Sequence, residues 1–370
     1  MKSVVVNPAA LELLITAILR ADDCSLDEAM AVAHHLVEAS LCGHDSHGVI
    51  RIARYHQWLG TGQIKPCQPL RRIVDTPHLL QFDGGDGMGQ WLAREAIAVG
   101  VERAREHGSC ILALRRAGHI GRLGAYTEQV CRAGLISIQL CNVAGSSLVA
   151  PFGASQRCIS TAPIAIGVPI PDGEDFILDF ATSLVAEGKA LVAGQGGAAL
   201  PDTALVGADG ELTSDPLALY GETLESPAPN PRAGGGALRP MGDHKGSGLA
   251  LACALLAGAL TGNGTNGPKE HAFGNGLLAI LIDPAKLENL DGFAAEAAAY
   301  VQSVRSARPD KNTETVLTPG DKERATAAER RRDGLPLPPA VFAAITEIAE
   351  QLSIDISPND LLRATAHAPR

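Results

Sequence analysis

Residues 79–114, LLQFDGGDGMGQWLAREAIAVGVERAREHGSCILAL, read as strand, helix and strand. Short apolar runs at Leu79–Phe82 and Ser109–Leu114 flank a helix over about 89–106, which is the grammar of a βαβ unit. The loop Arg115–Arg122 follows and carries His119 where a strand hands over to a helix. Ligands of α/β sheets bind preferentially at such carboxyl ends, although a lone loop histidine is more often just a surface residue. A helix ending at Gly134 leads into a strand from Leu135 to Cys141. Further strands are expected at 163–169, at 176–180 and from Leu277 to Ile282. With aromatics at 4%, the core must come mostly from Ala, Leu, Ile and Val, as in helices packed on a buried sheet. The fold class is α/β.

The first sixty residues read differently, as helices alone. Residues 8–22 open with a proline and repeat apolar residues at helical spacing. Ser25 and Glu28 have the spacing of a capping box, starting a helix over about 26–41. That helix delivers the chain to Gly43-His44-Asp45-Ser46-His47-Gly48-Val49-Ile50-Arg51, expected to continue as a helix through Tyr55 and Trp58 to Gly60. On a helix His47 and Arg51 would share a face and address one small anionic ligand. A guanidinium forks onto a carboxylate, and an imidazole passes a proton near neutral pH. Capped helix starts also place His, Asp and His at this spacing by chance. A metal site on His44, Asp45 and His47 is the rival reading, weakened because adjacent helical residues diverge.

The C-terminal half contains a long Gly, Pro, Ala and Ser loop over 221–243, then MGDHKGSG (241–248) and an apolar stretch over 249–260 read as a core helix. Lys245 falls just before that helix, where ammonium and free N–H groups can meet a phosphate; the plain alternative is a lysine in a flexible turn. A helix over about 293–306, the turn Thr318-Pro319-Gly320-Asp321, an arginine-rich helix and a last helix over about 339–352 complete the chain.

Composition bounds the function. The 370 residues suffice for two or three lobes, and 46% hydrophobic with 19% charged residues, at mean hydropathy +0.09, describes a packed chain rather than a disordered one. A net charge of −10 and no basic run among aromatics argue against nucleic acid. Eight cysteines without a C-x-x-C pair read as thiols in a reducing compartment. The charged N-terminal helix is no signal peptide, and the longest apolar stretch falls short of the roughly 20 residues that span a bilayer. No membrane partner and a cytoplasmic location are expected. G-x-G-x-x-G occurs at 262–267 but follows a helix and precedes Pro268, so it is not a dinucleotide fingerprint. No Walker A, G-x-S-x-G or H-E-x-x-H motif is present.

Taken together, GHDSHGVIR (43–51), AGHIGRLGAY (117–126), VAPFGA (149–154), LDFATS (178–183), MGDHKGSGLALACALLAGALTG (241–262) and LTPGD (317–321) resemble the family of NAD(P)-dependent malate, L-lactate, L-sulfolactate and ureidoglycolate dehydrogenases. This family is unrelated to the Rossmann-fold enzymes of similar name. GHDSHG, HIGRLG and HKGSG are similar especially to its hydroxycarboxylate dehydrogenase branch. The resemblance implies a large non-Rossmann α/β domain, residues 71–307, that binds NAD or NADP. It also implies a helical domain built from both termini, residues 1–70 with 308–370, and a homodimer with a small carboxylic acid as substrate. By position it implies that His47 and His119 are catalytic and that Ser46 and Arg51 bind substrate. His119, Arg122, Asp179, Phe180, Ala181, Thr182, Ser183, His244, Lys245, Thr318, Pro319, Gly320 and Asp321 are implied as cofactor contacts, with no metal required. Where relatives read Gly-Thr-Asn-Pro, this chain has Ser160-Thr161-Ala162-Pro163, which removes an amide near the nucleotide site. The loop Asn142–Val149 reads as longer than in some relatives.

The expected chemistry is hydride transfer between the cofactor and C2 of a 2-hydroxy or 2-oxo acid. The rivals are a reductase of cyclic imino acids such as piperideine-2-carboxylate, a metal-dependent hydrolase or lyase, and a non-catalytic binding protein.

Overall fold

The computed structural model describes residues 3–171, 173–194, 198–225, 229–267, 273–355 and 361–362. The chain starts with β1 (Val4–Val6), α1 (Pro8–Ala21), α2 (Leu26–Leu41) and α3 (Ile52–Gly60). Asn7 caps α1 by accepting from Ala9 and Ala10, and Ser25 caps α2 by accepting from Glu28 N at 3.2 Å. Only half of the expected capping box forms, because the Glu28 carboxylate reaches Cys67 N at 2.9 Å instead. It ties the loop after α3 to α2.

Then come β2 (Arg71–Asp75), β3 (Leu79–Gly87), α4 (Gly89–His107), β4 (Ser109–Ala117), α5 (Gly124–Arg132) and β5 (Ile136–Ala144). β6 (Pro163–Val168), β7 (Phe176–Ala181), α6 (Glu187–Gly194), β8 (Leu205–Val206), β9 (Leu212–Thr213), α7 (Leu217–Tyr220) and β10 (Ala237–Leu238) follow. The last elements are α8 (His244–Cys253), β11 (Gly274–Ile282), α9 (Leu290–Arg305), α10 (Asp321–Asp333), β12 (Leu335–Leu337) and α11 (Pro339–Gln351). No described helix is long and apolar enough to cross a membrane.

The main sheet has the order β2-β3-β4-β11-β5-β6-β7, and only β3 and β4 pair in parallel. They are the βαβ unit read from 79–114. The late strand β11 inserts between β4 and β5, and its run GNGLLAILI is buried almost throughout, as a central strand requires. A Cβ on Gly276 would lie 1.9 Å from Ala257 O, so the segment after α8 rests directly on this strand. β5 continues to Ala144, which takes Asn142 and Val143 into the sheet rather than into a long loop. The expected irregular passage 221–243 is only partly so: a 3-10 turn at Gly221–Glu225 and strand β10, paired with β8 in a small three-stranded sheet, are its ordered parts, and residues 226–228 lie outside the described ones.

Three sizeable apolar cores result. One joins α1, α2 and α3 to α11 and to β1 and β12, which pair antiparallel, so both ends of the chain share a core. A second packs α4 and α5 on β3, β4 and β11. The third lies under the segments 148–220 and α8.

The stretch 249–260 is not the core helix that its composition suggests. α8 widens into a π-helical segment, Ala254–Leu260, and Leu249, Leu251, Leu255, Leu256 and Leu260 are exposed. An apolar helix buries only the stripe that meets the sheet; its other leucines find no cover among the described residues.

Candidate active site

The segment 43–51 is two 3-10 turns, Asp45–His47 and Val49–Arg51, rather than the start of a helix. Gly48 between them adopts φ −92°, ψ −153°. A Cβ there would sit 2.0 Å from Ser40 Oγ, the atom that accepts from Val49 N at 3.0 Å. The end of α2 therefore packs against the backbone of this turn, and a continuous helix cannot pass. His47 and Arg51 consequently do not share a helical face; Arg51 folds back so that its Nε donates to Ser46 O at 2.5 Å. His47 is drawn to the preceding residue, with Nδ1 3.0 Å from Ser46 Oγ.

The β4–α5 loop presents His119, whose ring stacks on that of His47 with centroids 5.5 Å apart and planes at 17°. Gln90 Nε2 donates to Tyr55 Oη at 2.6 Å, and Tyr55 Oη lies 2.6 Å from His119 Nδ1. Gln90 Nε2 can only donate, and among the described residues Nδ1 is the one acceptor within reach of the tyrosine proton; with that proton on the Oη–Nδ1 bond, the neutral ring carries its own on Nε2. Among the described residues, Nε2 of neither imidazole is hydrogen-bonded. Both residues are half-buried. Desolvation first, and then the charge of Arg51, push His47 down to about 3 and His119 well below the usual histidine range. The cleft holds two neutral imidazoles beside one guanidinium.

His44, Asp45 and His47 do not converge on a metal. His44 Nε2 lies 3.4 Å from Glu323 of α10, and Asp45 is gripped by Arg330, with Nη1 at 2.6 Å. Among the described residues no group of three His, Cys, Asp or Glu is arranged to hold an ion.

The segments implied as cofactor contacts line up along β7. At its start, Ile177 N donates to Pro319 O at 3.2 Å, bringing in the turn 318–321. At its end, Met241 N donates to Thr182 O at 2.9 Å and Leu184 N to Arg239 O at 2.7 Å, bringing in the head of α8. The helix already begins at His244, so Lys245 is its second residue; both side chains are exposed. Ala181 ends the strand, the Phe180 ring packs into the third core, and Ser183 Oγ donates to Val185 O at 2.8 Å. Gly320 adopts φ +97° at the N-cap of α10. Asp321 accepts from Arg305, Arg324 and Thr318; burial alone would raise its carboxyl, but these donors hold it well below the usual range. Its oxygens are committed to holding the turn.

Asp179, in the middle of β7, and Arg122 both approach Gly124. A Cβ on Gly124 would come 2.8 Å from Arg122 Nη1 and 2.9 Å from Asp179 Oδ2, and Gly124 N donates to Asp179 at 2.7 Å. Burial raises the Asp179 carboxyl. Arg122 is buried and pairs with Glu128 through Nη2 at 2.7 Å, yet among the described residues its Nε and Nη1 have no partner. Buried donors left open are costly unless a ligand takes them. A hydrogen-bond acceptor such as a cofactor phosphate or carboxamide oxygen fits these open donors. Ala162, which replaces the expected asparagine, is buried at φ +31°, a region that asparagine tolerates better than alanine.

Several polar side chains at the cleft carry no motif signal. His35 of α2 accepts from Arg122 N at 2.9 Å, and burial followed by the Arg122 charge pushes it down to about 3. Tyr55 and Gln90 orient His119, while Glu187 and Tyr220 reach the cleft from α6 and α7. They come from elements remote in sequence, and nothing in their local spacing marks them.

Residues 6–346 match the family described as malate/L-lactate dehydrogenase. The chain is 35% identical to the L-lactate dehydrogenase of Cupriavidus necator over 92% of its own length and 95% of that protein. It is 33% identical to hydroxycarboxylate dehydrogenase B of Escherichia coli K12, covering 95% and 94%. Among solved structures it resembles the Δ1-piperideine-2-carboxylate reductase of Pseudomonas syringae at 28% identity and TM-score 0.80, covering 93% of this chain and 99% of that one.

Proposed function

The chain belongs to the malate/L-lactate dehydrogenase family, and on that premise we propose that it interconverts a small 2-hydroxy acid and its 2-oxo acid with NAD or NADP. The observation that carries this reading is the stacked pair of neutral imidazoles, each with Nε2 unengaged, beside the Arg51 guanidinium.

When bound, the nicotinamide supplies the hydride acceptor or donor for C2 of the acid. The chain does the rest. Arg51, with Nε spent on Ser46 O, retains its terminal N–H groups for the substrate carboxylate. In the tautomer with its proton on Nδ1, His47 donates to Ser46 Oγ and keeps a lone pair on Nε2, which takes the proton as the hydroxyl becomes a carbonyl. In reduction the same nitrogen returns it, once the substrate carboxylate bound at Arg51 offsets the charge that helps to hold the ring neutral. His119 donates Nε2–H to that oxygen, held in this tautomer by Tyr55 and Gln90. Arg122, Asp179–Ser183, His244, Lys245 and Thr318–Asp321 are assigned to the cofactor. The open donors of Arg122 and the alignment of these segments along β7 support that assignment.

We assign residues 1–70 with 308–370 to a helical domain and 71–307 to the cofactor domain, supported by the core that both chain ends share. A homodimer is assigned from the five exposed leucines of 249–260, which a second copy would cover. Eight free cysteines fit a cytoplasmic enzyme. The piperideine-2-carboxylate reductase likeness supports a second reading, reduction of cyclic imino acids.

A spectrophotometric screen of NADH and NADPH oxidation against 2-oxo acids and cyclic imines tests the proposal. Turnover of a 2-oxo acid is expected; turnover of cyclic imines alone would transfer the site to the second reading.

A further inference from the structure

Glu187 is the first residue of α6, and no recognised motif contains it. A Cβ on the next residue, Gly188, would lie 2.7 Å from Ser46 Cβ, so the first turn of α6 is laid against the turn that bears His47. The Glu187 carboxylate is divided between two partners. Oε1 accepts from Tyr220 Oη at 2.6 Å, and Oε2 faces Arg51 Nη2 at 3.9 Å. Tyr220 is fully buried, so its hydroxyl is a fixed anchor, and the direction in which Oε2 points is set by the fold.

At 3.9 Å Oε2 is too far to take a hydrogen bond from Arg51. The guanidinium keeps its terminal N–H groups for a ligand, but its charge is balanced. The inventory of the cleft is then one guanidinium, one carboxylate and two histidines held neutral. Arg122, whose charge also reaches His47, is paired with Glu128, and its two remaining donors are the ones assigned to the cofactor. Lys189, two residues beyond Glu187, is exposed, and residues at that spacing leave a helix on different sides. A monocarboxylate finds Arg51. A second anionic group on the same molecule finds no uncommitted cation among the described residues of the cleft, and it meets the Glu187 carboxylate.

We infer that Glu187, positioned by Tyr220, makes this site selective for 2-hydroxy and 2-oxo acids with a single carboxylate, and excludes those with a second anionic group. The inference rests on the 2-hydroxy acid reading above and narrows it. Two like charges about 6 Å apart at an effective dielectric of about 20 correspond to about a hundredfold in an equilibrium constant.

The test uses the full-length protein saturated with its nicotinamide cofactor and compares 2-oxobutanoate with oxaloacetate as substrates. Independently of turnover, calorimetry compares binding of oxamate, a monoanion, with tartronate, a dianion. Wild type is expected to favour the monoanion at least tenfold in both measurements. Glu187→Gln should raise the dianion-to-monoanion ratio by about ten- to a hundredfold, mainly through KM. Tyr220→Phe should move it the same way by a smaller factor, and Glu187→Asp should restore part of the preference. A ratio unmoved by Glu187→Gln in protein that still turns over 2-oxobutanoate overturns the inference and leaves the 2-hydroxy acid reading intact. If no 2-oxo acid is reduced but the binding ratio still shifts, that reading falls and the charge rule stands. Binding of neither anion overturns both.

Discussion

The cleft around His47 and the turn around Asp321 are both rich in arginine, carboxylate and hydroxyl groups, yet they are wired in opposite ways. In the turn every oxygen of Asp321 is taken, by Arg305, Arg324 and Thr318. At the cleft the polar atoms are oriented from behind and open in front. Ser46 holds one face of His47, Tyr55 holds His119, and Ser46 O holds Arg51 by Nε alone. A saturated network fixes backbone; an unsaturated one awaits a ligand.

The contrast can be broken at several points. The largest effect is expected at His47. His47→Ala should lower kcat by about 10²–10⁴ while cofactor binding, read by fluorescence titration, stays close to wild type. Weakened cofactor binding with intact turnover would place this residue on the other side of the cleft. Arg51→Ala comes next, raising KM for the acid by about ten- to a hundredfold, the loss of a charge-assisted pair; an unaltered KM for every accepted acid removes Arg51 from the clamp. Asp321→Asn, on the saturated side, should cost about 1–2 kcal/mol in a urea melt, since its partners are partly exposed, while kcat at saturating cofactor changes little. A collapse of kcat with no loss of stability would reverse the roles of the two regions.

The smallest effect is a pH slope. His35 is pushed down to about 3 in the fold, below the 6.5 of an unfolded histidine, so under pH 6.5 the unfolded chain takes up a proton that the folded chain refuses. Its contribution is complete above about pH 6.5 and is lost progressively as pH falls toward 3. His35→Gln should therefore flatten the dependence of stability on pH in that window by up to about 1.4 kcal/mol per unit. Melting curves at pH 5 and 6 that remain parallel to wild type would contradict this.

Much of the fold was legible locally. The helix over 8–21, the Ser25 cap and the strand–helix–strand of 79–117 follow from apolar spacing and capping chemistry, which act over a few residues. Reading failed where a distant group won the competition. Glu28 has the capping-box position but bonds to Cys67, and GHDSHG has helix-forming neighbours but is broken into 3-10 turns by the approach of Ser40 to Gly48. The leucines of 249–260 read as core because hydrophobicity does not say which side of a helix finds a partner.

The sequence by itself determined that the chain is α/β, and it supplied the histidines, the arginine and the order of the motifs, because these are matters of residue type and short-range spacing. Only the tertiary structure decided that β11 lies between β4 and β5, that His119 stacks on His47, and that Glu187 and Tyr220 stand at Arg51. Those arrangements depend on which surfaces pack across separations of tens to hundreds of residues. Such packing is set by the burial of whole faces, and no local pattern encodes it.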